Sequence, residues 1–412
     1  MQIILNKNYY KFIDYLFIFL PIAIILGSPT LNLFLTIYSL LFLYISIKFK
    51  FWLWLKITWV RITLIFWIYV VFLSFYSLDF ENSFRASFFF IRFLLFSLCV
   101  GYLAFNYFSF NKVFRIWFFI IIFVCIDIWI QYFFGKDLFG YPDHGSRFAG
   151  LFGNELVAGA FIWKISIPLI GLFFFERYYN NNKKYDYFLL GFLLLPVTIL
   201  ITGERTSFIM LIFSMLFSIL FLSYLMKKIK FFIMFILIIF LTFISAITTS
   251  ESVKNRYNDF FLIIKNFDNS SYGVLFNSGI EIWKNNKLTG VGLKNFGIEC
   301  DNQIQKKNKK HHPCSTHPHN LYIQILSETG LIGMGIFLTI FFSFYINNLK
   351  LSFIFEKITI KKFMLISCAC YLFSFIWPFA TSGSFYSSWN GIFYWIAIGM
   401  IQNFSNKKSV FI

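Results

Sequence analysis

The chain has 412 residues, of which 59% are hydrophobic and only 13% charged. That is more apolar surface than a water-soluble fold can cover, and the reverse of the composition of a disordered chain, so both classes are excluded. Yet 36 Lys and Arg stand against 18 Asp and Glu, a formal net charge of +18, and the placement of those residues decides between a polyanionic partner and a membrane.

A window of about 20 residues, the length that crosses the hydrocarbon core, finds twelve apolar runs. They lie near 12–27, 31–47, 60–77, 86–105, 113–134, 154–175, 186–201, 206–226, 231–248, 319–346, 362–380 and 386–404. The predicted fold is therefore all-α and polytopic, with about twelve transmembrane helices. Every second connection is basic: Lys7 and Lys11; Lys48, Lys50, Lys56 and Arg61; Lys112 and Arg115; Arg177, Lys183 and Lys184; Lys227, Lys228 and Lys230; Lys350, Lys357, Lys361 and Lys362; Lys407 and Lys408. Short cytoplasmic loops are enriched in this way, which predicts both termini in the cytoplasm and removes the need for nucleic acid. The first run has no small-residue cleavage site and is followed at once by another, so no signal peptide is expected. The 63 Phe residues accompany abundant Ile, Lys and Asn, the mark of an AT-rich coding sequence rather than of function.

Within the early spans, Arg92 and Asp127 read as structural groups, and Cys99, Cys125, Cys368 and Cys370 as small buried residues. Glu155 and Lys164 open the sixth run, where a mutual contact, a substrate contact and snorkelling of Lys164 are all open. Three segments follow from this organisation: spans one to nine over 1–248, an outer loop domain over 249–318, and spans ten to twelve over 319–412. The loop opens with Ser252 ahead of Val253, Tyr257, Phe260, Phe261 and Ile264, the stripe of an interfacial helix. Ser278 and Glu281 have capping-box spacing before a short helix around Trp283, and Gly290 and Gly292 make a turn.

All five histidines fall on the outer face: His144 between spans five and six, and His311, His312, His317 and His319 in HHPCSTHPHN. Histidine transfers protons near neutral pH. A zinc site built from this cluster with Cys314 is a minor alternative, because Pro313 and Pro318 stiffen the run and the spacing matches no established ligand pattern. Cys300 and Cys314, alone outside the spans, are a possible disulfide in an oxidising compartment. Pro318 suits a first helical turn, with Thr316 or His317 as its cap. Asn320, Gln324 and Glu328 then recur every four residues, a polar stripe that should face a cavity or other helices, while Gly330, Gly333 and Gly335 suit close helix packing.

His319-Asn320, nine residues, then Gly330-Leu331-Ile332-Gly333 resembles the motif of the O-antigen ligase and polymerase superfamily of bacterial envelope enzymes. The long loop between spans nine and ten, the GVG turn and Arg205 in TGERTS resemble it too, over roughly Arg147 to Gly335. The chain departs in having Met334 where Thr is frequent and Gly279 where many members carry Arg. The resemblance implies a GT-C type glycosyltransferase in the bacterial inner membrane that is inverting and independent of metal or other cofactor. Its substrates would be an undecaprenyl-diphosphate-linked glycan and, for a ligase, a lipid A core acceptor hydroxyl; for a polymerase, the acceptor is another repeat unit on the same carrier. His319 would be the base and Arg205, Arg147 and Arg256 the diphosphate grip, with His317, Asn320, Gln324, Glu328, Lys164 and Glu155 as further substrate-binding candidates. A flippase is the alternative from another class; it should show internal repeats and broken helices in both halves, which the sequence does not display.

Overall fold

A computed structural model describes residues 7–106, 108–145, 147–249, 251–306, 314–350 and 359–405. His311, His312, Lys357, Lys407 and Lys408 lie outside the described residues. Helices α1 (Lys7–Ile25), α2 (Ser28–Lys48), α3 (Thr58–Ser74), α4 (Phe80–Phe89), α5 (Ile91–Leu103), α6 (Phe110–Phe134), α7 (Ala158–Phe173), α8 (Asp186–Ile201), α9 (Arg205–Leu225) and α10 (Lys230–Thr249) form the first part of the chain. The long loop holds α11 (Glu251–Lys265), α12 (Ser271–Asn285) and α13 (Phe296–Lys306), and the chain continues with α14 (Leu321–Phe344), α15 (Ile360–Phe375) and α16 (Ser388–Ser405). Among the described residues there is no strand beyond one isolated bridge, Lys136 to Pro142.

The protein is an all-α polytopic membrane protein, and its helices occupy the twelve apolar runs, with α4 and α5 sharing one. Eight helical stretches are long and apolar enough to cross a bilayer, and α3 and the Lys230–Ser245 part of α10 are shorter apolar helices. The remaining two, α15 and α16, have most of their residues buried. Apolar but for Lys164 and Ser166, α7 is the central helix: all but one of its residues are buried, as expected of a helix hydrophobic nearly all round. It packs against α6, α8, α9 and α15.

Contacts at the helix ends sort into two faces. On one, Lys48 Nζ donates to the Tyr9 and Tyr44 hydroxyls, Lys228 Nζ donates to the Tyr178 carbonyl and Ser405 binds Asn348. On the other, the Asp79 amide donates to Asn295, Arg205 reaches Arg256, the hydroxyls of Thr206 and Thr381 share a 2.7 Å bond, and the Ser382 amide donates to the His319 carbonyl. The long loop therefore belongs to this second face, called the loop face below.

Three local expectations are corrected. Ser278 and Glu281 lie inside α12, whose cap is Ser270, accepting from the Gly273 amide at 3.1 Å. The helix after the histidines starts at Leu321, so neither Thr316 nor His317 caps it and Pro318 is outside its first turn. Gly335 meets nothing within 4 Å of where a Cβ would stand, so close packing does not explain it, and Gly330 breaks the helix instead of packing it.

That break organises the loop face. Gly330 has φ 65° and ψ −167°, a conformation open to glycine, and the 287–292 turn fills the gap. The Leu331 and Ile332 amides donate to the Lys287 and Leu288 carbonyls, while the Val291 and Gly292 amides donate to the Ser327 and Glu328 carbonyls. Tyr69 of α3 adds a 2.8 Å bond to the Thr329 carbonyl. The turn and the broken helix thus satisfy each other's backbone groups.

Candidate functional site

The site grows from the start of α14. Asn320 caps it: its Oδ1 accepts from the Tyr322 and Ile323 amides at 3.0 and 3.1 Å, and its Nδ2 donates to the Pro378 carbonyl at 2.7 Å. Such a cap contributes about 1 kcal/mol, so Asn320 is committed to the fold. Just before it, His319 takes a left-handed backbone, φ 55°. Its ring lies tilted at 51° to that of His317, centroids 4.2 Å apart, and meets the Tyr272 ring edge-on at 5.8 Å and 86°. Its Nε2 shares a 3.3 Å hydrogen bond with the Ser315 hydroxyl.

Next to Ser315, Cys314 is disulfide-bonded to Cys300 of α13, with Cα atoms 5.9 Å apart. Cys300 is buried with Leu275, Ile282, Val291 and Phe296 in a small second core, so the histidine segment is anchored covalently to the packed part of the loop. Burial holds the His319 imidazole below the ordinary histidine value. His317 is pushed down to about 3, by burial first and then by the neighbouring His319 and Lys294. Both rings are neutral at pH 7, and a neutral imidazole can accept a proton.

Beside the histidines the fold gathers three arginines from three elements. Arg205 opens α9 after Gly203, Arg256 lies on α11, and Arg147 sits in the connection from α6 to α7. Arg205 Nη1 donates to the Arg256 carbonyl at 3.2 Å and Arg256 Nη2 to the Gly203 carbonyl at 3.3 Å. Arg147 Nη2 donates to the Leu156 carbonyl at 3.4 Å, and Arg205 lies 5.6 Å from the centre of the Phe260 ring. The neighbours that act on Arg205 are Arg256, Tyr272, Asp259 and Arg147. Burial lowers the pKa of Arg147, with Glu204 and Tyr272 opposing and Arg256 adding to the effect. Nε of both Arg147 and Arg256 is buried without a hydrogen-bond partner. Like charges gathered in partial burial with unused donors form a seat for an anion.

The acid next to Arg205 in the chain is already engaged. Glu204 accepts from the Gly159 and Ala160 amides at the start of α7, at 2.6 and 3.0 Å, and from the Ser207 hydroxyl at 2.8 Å. It fixes α9 to α7, and burial raises its carboxyl above the ordinary range. The sequence reading missed Glu204, although it stands beside Arg205.

The other expected residues are dispersed. Gln324 is held by Ser384 at 2.9 Å and by the Phe385 amide at 2.9 Å, and it donates to Glu328 at 3.3 Å. Glu328 is fully buried, with Oε1 lacking a partner. Lys164 neither snorkels nor meets Glu155: it is buried, donates to Asn390 Oδ1 at 3.0 Å, and lies 4.7 and 4.8 Å from the centres of the Trp389 and Phe393 rings. Glu155 is exposed. Arg92 donates to the Ser388 hydroxyl at 2.8 Å, and Asp127 accepts from the Leu138 amide at 3.0 Å. His144 braces the Arg147 connection: its amide donates to the Arg147 carbonyl, and its Nε2 bonds the Gly153 carbonyl at 3.1 Å.

Two site residues escaped the sequence reading altogether. Lys294 has φ 65° just after the GVG turn and acts on both His317 and Glu328; its signal was the turn itself. Tyr272, one of 23 tyrosines, carried no signal.

With this geometry in place, comparison with known proteins is informative. Residues 190–338 match a family model described as O-antigen ligase. The match runs from α8 past the Gly330 break and holds Arg205, Arg256, Tyr272, Lys294, His317 and His319; Arg147 precedes it. A search of curated proteins finds no match for the chain.

Proposed function

We propose, from the match of residues 190–338 to a family model described as O-antigen ligase, whose members are membrane glycosyltransferase-type enzymes, that this chain moves a glycan from undecaprenyl diphosphate to an acceptor hydroxyl, with the lipid A core as acceptor. The transfer takes place on the loop face, which we read as periplasmic, in the inner membrane. The observation that carries this reading is the cluster of Arg147, Arg205 and Arg256, two with unused buried donors, beside Tyr272 and His319.

The chemistry follows from the groups. The diphosphate leaving group needs positive charge and hydrogen-bond donors, and three guanidiniums supply both at the level of the lipid headgroups. His319, kept neutral by burial, takes the proton of the acceptor hydroxyl. The acceptor oxygen then bonds the anomeric carbon while the carbon–oxygen bond to the diphosphate breaks and its electron pair leaves with the phosphate. Attack opposite the leaving group inverts the linkage. General-base help of this kind contributes about 10²–10⁴-fold.

The test replaces His319 with Ala in cells lacking the native gene and examines lipopolysaccharide on gels. Loss of all capped glycan is expected for the ligase; core bearing a single repeat indicates the polymerase instead. Normal ladders from a well-expressed variant overturn the role of His319. Arg205→Lys keeps the charge but loses the planar fork, and a fall of about ten- to a hundredfold in transfer is expected.

A further inference from the structure

We propose that Tyr272 is a substrate-contacting residue of this transfer: its hydroxyl donates a hydrogen bond to the donor diphosphate, and its ring sets the position of the His319 imidazole. The proposal rests on reading the site as a glycosyl transferase and adds a residue that joins its two halves.

Tyr272 is the second residue of α12, in a first turn that has little freedom. Ser270 caps that turn, and Gly273 is pressed so closely on the Phe267 carbonyl that a Cβ there would overlap it. Further along, Gly279 lets α12 lie against Ile323 of α14, where a Cβ would again overlap. The two helices are therefore held at a fixed separation, and the ring of Tyr272 meets the ring of His319 edge-on at 5.8 Å. The same side chain also lies within electrostatic reach of Arg147 and Arg205, which come from different elements.

Tyr272 is half-buried, and its hydroxyl makes no hydrogen bond to the protein among the described residues. A phenol left free within electrostatic reach of two guanidiniums, on a ring braced by a candidate base, suits an anion held by those guanidiniums. The hydroxyl donates a hydrogen bond to a phosphate oxygen whose charge grows as the bond to the sugar breaks, and it transfers no proton. The ring meanwhile covers one side of His319, contributing to the burial that keeps the imidazole neutral.

The experiment uses the purified full-length protein in nanodiscs with undecaprenyl-diphosphate-linked glycan and lipid A core, comparing Tyr272→Phe, Tyr272→Leu and His319→Ala with the parent. Tyr272→Phe keeps the ring and loses the hydroxyl, so donor KM or kcat should worsen by about tenfold, acceptor KM should not move, and the pH profile should be unchanged. Tyr272→Leu should lose at least as much and also shift the acid limb of the profile upward, toward the ordinary histidine value. Unchanged donor kinetics in Tyr272→Phe overturn the phosphate contact, and an unchanged acid limb in Tyr272→Leu overturns the positioning role. If His319→Ala stays active the reading of the whole site fails; if it is inactive while both Tyr272 variants match the parent, the Tyr272 proposal alone fails.

Discussion

His317 and His319 are two imidazoles that the fold keeps uncharged, and this sets a pH dependence with a definite sign. An unfolded chain protonates its histidines near pH 6.5, whereas burial holds both of these lower in the folded protein, His317 at about 3. Between those values the unfolded state binds more protons, so stability is full above about pH 6.5 and is lost as pH falls toward the folded value. Each such group contributes at most about 1.4 kcal/mol per pH unit in that window. The melting temperature in detergent should therefore fall between pH 6.5 and 4.5, and His317→Gln, which cannot titrate, should flatten the fall; an equally steep fall in that variant sinks the assignment. At this scale His319 and the three arginines were legible as candidates through the His-Asn, nine-residue, GxxG spacing and through their places at the outer ends of spans and in the outer loop. The sequence hid Tyr272 and Glu204, whose roles depend on partners that only the folded chain brings near: the His319 ring ahead of α14 for one, two amides of α7 for the other.

Among the elements, α14 separates what a pattern can indicate from what it cannot. Gly330, Gly333 and Gly335 look alike in the sequence, but their backbones do not behave alike. Gly330→Ala places a Cβ at positive φ against the Leu288 carbonyl and should cost about 3 kcal/mol or more. Gly335→Ala meets open space in a regular helical turn and should be neutral or stabilise by up to about 1 kcal/mol. Thermal unfolding of the two variants side by side checks the contrast, and similar losses in both would mean that the break is not needed. The start of the same helix was misplaced for a related reason. Pro318 suggested a first turn, but the left-handed His319 stands between it and the helix, and Asn320 takes the cap. Helix existence was legible throughout because hydrophobic periodicity is local; the clasp of the 287–292 turn onto residues 327–332 was not, because nothing in either segment names the other.

For the whole molecule, the basic connections and the arginine cluster carry charge for different reasons. Most Lys and Arg follow the alternation of spans, which we read as orientation, while the three arginines of the loop face are held in one place by the fold. If that orientation is right, a membrane-impermeant maleimide added to spheroplasts should label Asp268→Cys and leave Lys183→Cys unlabelled, with the four buried free cysteines silent in both. The reverse pattern would invert the topology. The break at Gly330 also bears on how the protein is made. It lies about 14 Å along α14 from its start, and the Leu331 and Ile332 amides would cost several kcal/mol each if left bare in hydrocarbon. Their acceptors, Lys287 and Leu288, leave the ribosome before the helix they complete. Partitioning of a self-sufficient helix therefore cannot finish this span: a segment synthesised earlier, waiting at the aqueous boundary, has to be seated into it, and the order of synthesis becomes part of the assembly of the site.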